Sequence, residues 1–146
     1  MIRRFLPEDL SAVMNIWLSS NLQAHSFINE QYWKMNYSLV KEILPQAEIS
    51  VFEDERTGKI EGFIGLNETH IEGIFVLENK RSKGIGKSLL DATKSSRNKL
   101  SLNVYQKNER AIQFYKREGF IVQEESLDEN VNEKEFFMVW RCKNNV

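Results

Sequence analysis

A mixed α/β fold built on one sheet is what this 146-residue sequence predicts. Three observations carry that reading. Residues 49–52, 60–66 and 70–77 have strand character and follow one another, with a turn signal at 54–58 between the first two. Strand and helix patterns then interleave through the second half. Two stretches of helical spacing precede the strands. The expected element order is β-α-α-β-β-β-α-β-α-β-β.

Residues 2–6 are apolar and basic and suit an edge strand. Pro7-Glu-Asp opens a helix, with proline early and two acids in the first turn. Leu10, Val13, Met14, Trp17 and Leu18 recur at helical spacing, so this helix covers 8–20. Asn29 caps a second helix whose apolar side holds Tyr32, Trp33, Tyr37, Leu39, Val40, Ile43 and Leu44, and Pro45 ends it. After the three strands comes a basic, glycine-containing loop, then a helix marked by Ile85, Leu89 and Leu90. Leu100, Leu102 and Val104 alternate as a strand. Asn108 is a helix cap and Gly119 a helix stop. Residues 120–122 and 135–140 are the closing strands. No repeat or linker divides the chain, so residues 1–146 are expected to form one domain.

Hydrophobic residues make up 41% and charged residues 28%, the balance of an ordinary globular protein. The formal net charge is −1, so nothing global points to nucleic acid or an anionic membrane. Cys142 is the one cysteine, which excludes an intrachain disulfide and fits a reducing compartment. No apolar run reaches the ~20 residues that span a bilayer. The N-terminus lacks the apolar core of a signal peptide. A cytoplasmic protein is expected. Two histidines and one distant cysteine offer no metal set, so no catalytic metal is expected.

Lys80, Arg81, Lys83 and Lys87 crowd around Gly84 and Gly86, between a strand and a helix. Glycines let a ligand approach the backbone, and free N–H groups at a helix start favour an anion. A phosphate or pyrophosphate is the natural guest. A P-loop would need glycine at position 81, which is Arg81; a dinucleotide fingerprint would need it at 89, which is Leu89. Both nucleotide readings fail there. Taken alone, the loop is also compatible with a turn that binds nothing. Nucleic-acid binding through residues 80–87 is disfavoured, because the patch is short and holds no aromatic platform.

Arg81-Ser-Lys-Gly-Ile-Gly-Lys87 resembles the Arg/Gln-x-x-Gly-x-Gly/Ala signature of the GNAT superfamily of N-acetyltransferases. The stretch from Asn103 to Phe120, with Asn108, Ala111, Phe114-Tyr115 and Gly119-Phe120, resembles that family's second motif, about one strand further on. Trp17, His25-Ser-Phe27 and Tyr32-Trp33 add a likeness to small bacterial members that include proposed peptidyl-lysine N-acetyltransferases. The resemblance implies a mostly antiparallel sheet of about seven strands and the transfer of an acetyl group from acetyl-CoA to a primary amine. That amine would be a protein lysine, an N-terminus or a small molecule. It implies that the backbone of Ile74, Phe75 and Val76 receives the pantetheine arm of coenzyme A beside a splay in the sheet. Arg81, Lys83, Gly84, Ile85, Gly86, Lys87 and Ser88 would bind the pyrophosphate. Asn108, Ala111 and Phe114 would line the arm, and Tyr115 would place its hydroxyl near the thioester sulfur.

A free lysine amine has a pKa near ~10.4 and must lose a proton before it attacks. Glu72 and His70 are both candidates for the base, and being two apart on a strand they are expected to share a face. Water alone is a third option. Acidic residues within 124–135 would attract a cationic amine or simply form a solvated loop. His25 reads as a loop histidine with satisfied hydrogen bonds, and Trp17, Phe27, Tyr32 and Trp33 as core, with some of them walling an acceptor cleft. A CoA-binding module without turnover is the alternative function, and Tyr115 argues against it. Expected partners are acetyl-CoA and an amine acceptor, with a monomer or homodimer as the assembly.

Overall fold

The computed structural model describes residues 1–143. Its strands are β1 (Ile2–Arg4), β2 (Glu48–Glu53), β3 (Ile60–Asn67), β4 (His70–Val76), β5 (Lys99–Tyr105), β6 (Ile121–Asp128) and β7 (Glu133–Arg141). Its helices are α1 (Leu10–Ala24), α2 (Glu30–Ile43), α3 (Ile85–Lys94) and α4 (Glu109–Arg117). This is the predicted order. The strands form one seven-stranded sheet, β1-β2-β3-β4-β5-β7-β6, in which only β4 and β5 run parallel.

The ends of the helices follow from local chemistry. The Asn29 side chain accepts from the Gln31 N–H at 2.9 Å and starts α2. Pro7 and Pro45 each lie in a 3-10 turn, Pro7–Asp9 before α1 and Leu44–Gln46 after α2. Gly119 has φ +94°, and the Phe120 N–H reaches back to the Tyr115 carbonyl at 2.9 Å, closing α4.

Alternation along the strands separates two cores. On one face α3 and α4 bring Leu89, Leu90 and Ile112 onto Ile64, Leu100, Leu102 and Met138. On the other, α1 and α2 bring Val13, Met14, Ile16 and Trp33 onto Ile49, Val51 and Phe63. Each helix pair thus covers one face of the sheet, the architecture that a two-faced sheet needs to be dry on both sides.

The structure departs from the sequence expectations in three places. Helix α1 continues to Ala24, and the apolar pattern does not show its last turn because buried positions there are polar: Ser20 and Asn21 are buried, and Asn21 Nδ2 donates to the Trp17 carbonyl at 2.9 Å. Leu39 and Ile43 on α2 are exposed rather than part of the core. The acidic stretch 124–135 is not a solvated loop but the greater part of the β6–β7 hairpin. Strand β6 lies at the sheet edge with almost every side chain exposed, so backbone pairing forms it without an apolar alternation to announce it.

Arg3 ties the first strand to the rest. Its guanidinium donates to Asp9 at 2.8 and 3.0 Å and to Glu53 at 2.9 Å, and Asp9 also accepts from the Leu6 N–H at 2.8 Å. Asp9 is buried, and Arg3 holds its carboxyl below the ordinary range. Removing Arg3 leaves a buried carboxylate without its cation. Arg3→Ala is therefore expected to cost about 2–4 kcal/mol in urea unfolding at pH 7. Because the folded pKa of Asp9 is depressed, its contribution is full above the unfolded value near ~4 and is lost as pH falls below it. The difference between wild type and Asp9→Asn should accordingly shrink on going from pH 7 to about pH 3.

Candidate active site

The functional cleft begins where the two parallel strands part. β4 pairs with β5 only at His70↔Ser101 and Ile71↔Leu102. Against β3, Ile71 faces Leu66 and Gly73 faces Gly65, so Glu72 is an extra residue, a β-bulge. The bulge increases local twist, and beyond it β4 stays with β3 while β5 stays with β7. From Glu72 to Val76 no strand among the described residues lies beside the open edge of β4. Gly73 leaves room for the Phe75 ring to lie over it, since a Cβ would come within 2.4 Å of that ring and push it aside. Phe75 packs on Phe63 on the α1/α2 face, and Ile74 joins the opposite core. The cleft between the parted strands has a volume of about 810 Å³.

One end of the cleft combines a helix start with nearby cations. Gly84 caps α3 in the left-handed conformation (φ +84°), and the Ser88 N–H already donates to its carbonyl at 2.9 Å. The N–H groups ahead of Ser88, on Ile85, Gly86 and Lys87, are those a helix start leaves unpaired. A Cβ on Gly86 would make only ordinary contact, 3.7 Å, with the Phe114 ring. Nothing in the protein forbids a side chain there, and its absence keeps the backbone open to a ligand.

The cations divide into two groups. Lys80 is paired with Glu61 at 3.4 Å, and Lys87 with Glu118 at 3.0 Å and Asp91 at 3.4 Å. Arg81 and Arg110 both line the cleft, and among the described residues neither has a carboxylate partner. They contact only neutral groups, the Gln23 carbonyl oxygen at 3.3 Å and the Ser82 hydroxyl at 3.2 Å. Burial and the nearby Arg110 both lower the pKa of Arg81, so the two guanidiniums stand close enough to repel. A phosphate between them would relieve that repulsion. Sequence reasoning missed Arg110; its place in the first turn of α4, two residues after the cap, was the available signal.

Of the expected cofactor residues, Ile74, Phe75, Val76, Arg81, Gly84, Ile85, Gly86, Lys87, Asn108, Ala111, Phe114 and Tyr115 all line this cleft. Lys83 and Ser88 are exposed and lie outside its lining. Tyr115 is buried edge-on against Phe114 and Phe120. Its hydroxyl has no hydrogen-bond partner among the described residues, and burial pushes its pKa well above that of a free phenol.

At the far end, His70 and Glu72 also reach the cleft wall. His70 Nδ1 is 2.9 Å from the Ser101 hydroxyl, and its ring lies parallel to Phe137. The bulge at Glu72 interrupts the alternation, so the spacing of two does not by itself place these side chains on one face. Tyr32, Trp33 and Tyr105 add an aromatic wall. The Tyr105 hydroxyl donates to Asp128 at 2.7 Å, and β5–β7 pairing sets Glu135 opposite Tyr105. Burial, then the Asp128 charge, raises the pKa of Glu135. His25 lies within this wall, stacked on Trp33, with Nδ1 3.1 Å from Asn21 Oδ1 and Nε2 3.3 Å from Asn108 Nδ2. Its imidazole pKa is lowered by burial to about 4. Among the described residues no group of three His, Cys, Asp or Glu side chains forms a metal site, and no helix is long and apolar enough to cross a membrane.

Comparison with known proteins gives concordant matches. The sequence model of the Acetyltransferase (GNAT) domain matches residues 45–122. The peptidyl-lysine N-acetyltransferase YiaC of Escherichia coli is 32% identical over 142 residues, spanning 96% of each chain. The solution structure of apo-form YjaB from Escherichia coli superimposes with a TM-score of 0.85 at 30% identity, over 96% of each chain. The PaiA N-acetyltransferase of Thermoplasma acidophilum, solved with coenzyme A, shares the fold at a TM-score of 0.78 and 21% identity, over 97% of this chain and 98% of that one.

Arg81 and Arg110 give this site its first test. Arg81→Ala and Arg110→Ala should each weaken pyrophosphate binding about tenfold at low salt, as measured by calorimetry. Lys87→Ala, whose ammonium already faces two carboxylates, should change it less than about threefold.

Proposed function

The chain belongs to the GNAT acetyltransferase family, and on that premise we propose that it transfers the acetyl group of acetyl-CoA to the side-chain amine of a protein lysine. The observation that carries the reading is the parting of β4 from β5, which leaves a free strand edge between an anion site and the buried Tyr115. The likeness to relatives named peptidyl-lysine N-acetyltransferases supports the choice of acceptor. The single cysteine fits the reducing cytoplasm, and a monomer or homodimer fits the size of the chain.

Acetyl-CoA supplies an activated acetyl thioester. Arg81, Arg110 and the N–H groups of Ile85, Gly86 and Lys87 would hold its phosphates. The open edge of β4 at Ile74, Phe75 and Val76 would take its extended arm as an added strand, with Ala111 and Phe114 of α4 opposite. Holding both reactants in one cleft removes much of the entropic barrier. The N–H of Phe75 or Val76 is suited to the oxyanion that develops on the carbonyl.

Tyr115 is assigned to the leaving sulfur. A thiol has a pKa of ~8.5, and the phenol of Tyr115 stays protonated well above that. It would act there by donating a hydrogen bond to the developing thiolate. For the proton lost by the amine, Glu72 and His70 on the cleft wall are the candidate acceptors, with water as a carrier. His70 has Nδ1 engaged by Ser101, which leaves Nε2 for this task. Glu135 and Asp128 give the acceptor end a negative character suited to an incoming ammonium.

Thiol release from acetyl-CoA in the presence of lysine peptides, amino-terminal peptides and polyamines tests the proposal. Lysine peptides should give the highest kcat/KM. Tyr115→Phe should lower kcat by about a hundredfold while leaving KM for acetyl-CoA within about threefold. Full turnover by Tyr115→Phe would remove Tyr115 from the mechanism.

A further inference from the structure

One chain of hydrogen bonds crosses the cleft, and its direction is fixed at both ends. At one end is the Ala111 N–H in the first turn of α4. It can only donate, and it donates to Asn108 Oδ1 at 3.3 Å. That fixes the Asn108 amide, so Nδ2 is the atom turned toward His25, 3.3 Å from Nε2. At the other end is the Trp17 carbonyl in α1. It can only accept, and it takes the Asn21 Nδ2 proton at 2.9 Å. That fixes the second amide, so Asn21 Oδ1 is the acceptor 3.1 Å from His25 Nδ1.

His25 is the meeting point of these two constraints. Its Nε2 faces an N–H donor and must carry the lone pair. Its Nδ1 faces a carbonyl oxygen and must carry the proton. A protonated ring would set one N–H against another. Burial alone drives the imidazole to its neutral form, and no carboxylate among the described residues hydrogen-bonds to it. The ring is also held on its faces and edges, stacked on Trp33 at 5.3 Å and edge-on to Tyr105 at 5.0 Å and Phe27 at 5.7 Å. The same side chain therefore forms part of the acceptor wall and the only side-chain link, among the hydrogen bonds of the described residues, between Asn108 and α1.

We propose that His25 is a positioning residue, which as the neutral Nδ1–H tautomer locks the Asn108 amide so that Asn108 holds the first turn of α4 in place beside the cofactor. The inference rests on the acetyl-CoA reading only in its kinetic part. Without His25, the Asn108 side chain is held only by the long bond from the Ala111 N–H at 3.3 Å, and the cap on the first turn of α4 is loosened. Asn108 has one Oδ1 lone pair and one Nδ2 proton left over, which is what it could offer to a ligand.

Two variants separate packing from polarity. His25→Phe keeps a flat ring against Trp33 and removes both hydrogen bonds. His25→Gln gives up the ring and restores an acceptor for Asn108 and a donor for Asn21. The loss of the hydrogen bond to Asn108 predicts about a fivefold rise in KM for acetyl-CoA with His25→Phe. His25→Gln should bring KM for acetyl-CoA back to within about twofold of wild type. Equal impairment of the two variants, or wild-type kinetics in His25→Phe, would overturn the proposal. Nitrogen-15 NMR of the wild-type imidazole tests the tautomer without turnover and without any variant. A neutral ring protonated on Nδ1 between about pH 5.5 and 8 is expected. An Nε2–H ring, or titration near the ordinary ~6.5, would sink the assignment whether or not the chain acetylates anything. Coenzyme A binding by calorimetry, compared between wild type and His25→Phe, reads the same coupling if the acceptor is wrong: an unchanged affinity counts against it.

Discussion

The parting of β4 from β5 is the constraint on which the rest of the molecule depends. Parallel strands joined by a helical crossover ordinarily pair along their length. Here two register positions are paired and the remainder is released by one extra residue, Glu72. The released edge of β4 keeps its backbone donors and acceptors but has no strand to satisfy them, a costly arrangement unless a ligand or solvent completes it. The two cores on opposite faces make this tolerable. Under α3 and α4 one core joins both halves of the sheet, with Ile64, Leu66 and Ile71 of β3 and β4 packed with Leu100, Leu102 and Met138 of β5 and β7, so side chains hold the halves together where sheet hydrogen bonds stop.

Electrostatics sorts the residues around that gap. The loop before α3 is rich in cations, but the structure neutralises Lys80 and Lys87 with carboxylates, while Arg81 and Arg110, near each other on the cleft wall, have no carboxylate partner among the described residues. The charge that matters to a ligand is what remains after internal pairing. At the opposite end Asp128 and Glu135 give a negative surface framed by Tyr32 and Tyr105. The two ends of the cleft thus differ in the sign of their charge. The polar chain from Trp17 to Ala111 joins α1 to α4 without any charge.

Much of the site was legible in the residue order because its parts are local. A glycine with positive φ, a helix start and an asparagine cap are each specified within a few residues, and the loop around Gly84 and the α4 segment could be found that way. The residues missed have partners far along the chain. Arg110 matters because Arg81 is close to it, and His25 because Asn108 is 83 positions away. Tyr105 and Glu135 meet through strand pairing. The edge strand β6 was under-read for another reason: it buries neither face, so no apolar alternation marks it.

The sequence by itself determined the order of elements, the glycine turn before α3 and the cap–helix motif of α4, since helix and strand periods and turn chemistry act over a few residues. Only the tertiary structure decided which lysines were already spent on carboxylates, where the sheet opens, and what the acceptor end is made of. Those depend on through-space distances, and a one-residue bulge at Glu72 is enough to change which backbone groups are left free to receive a ligand.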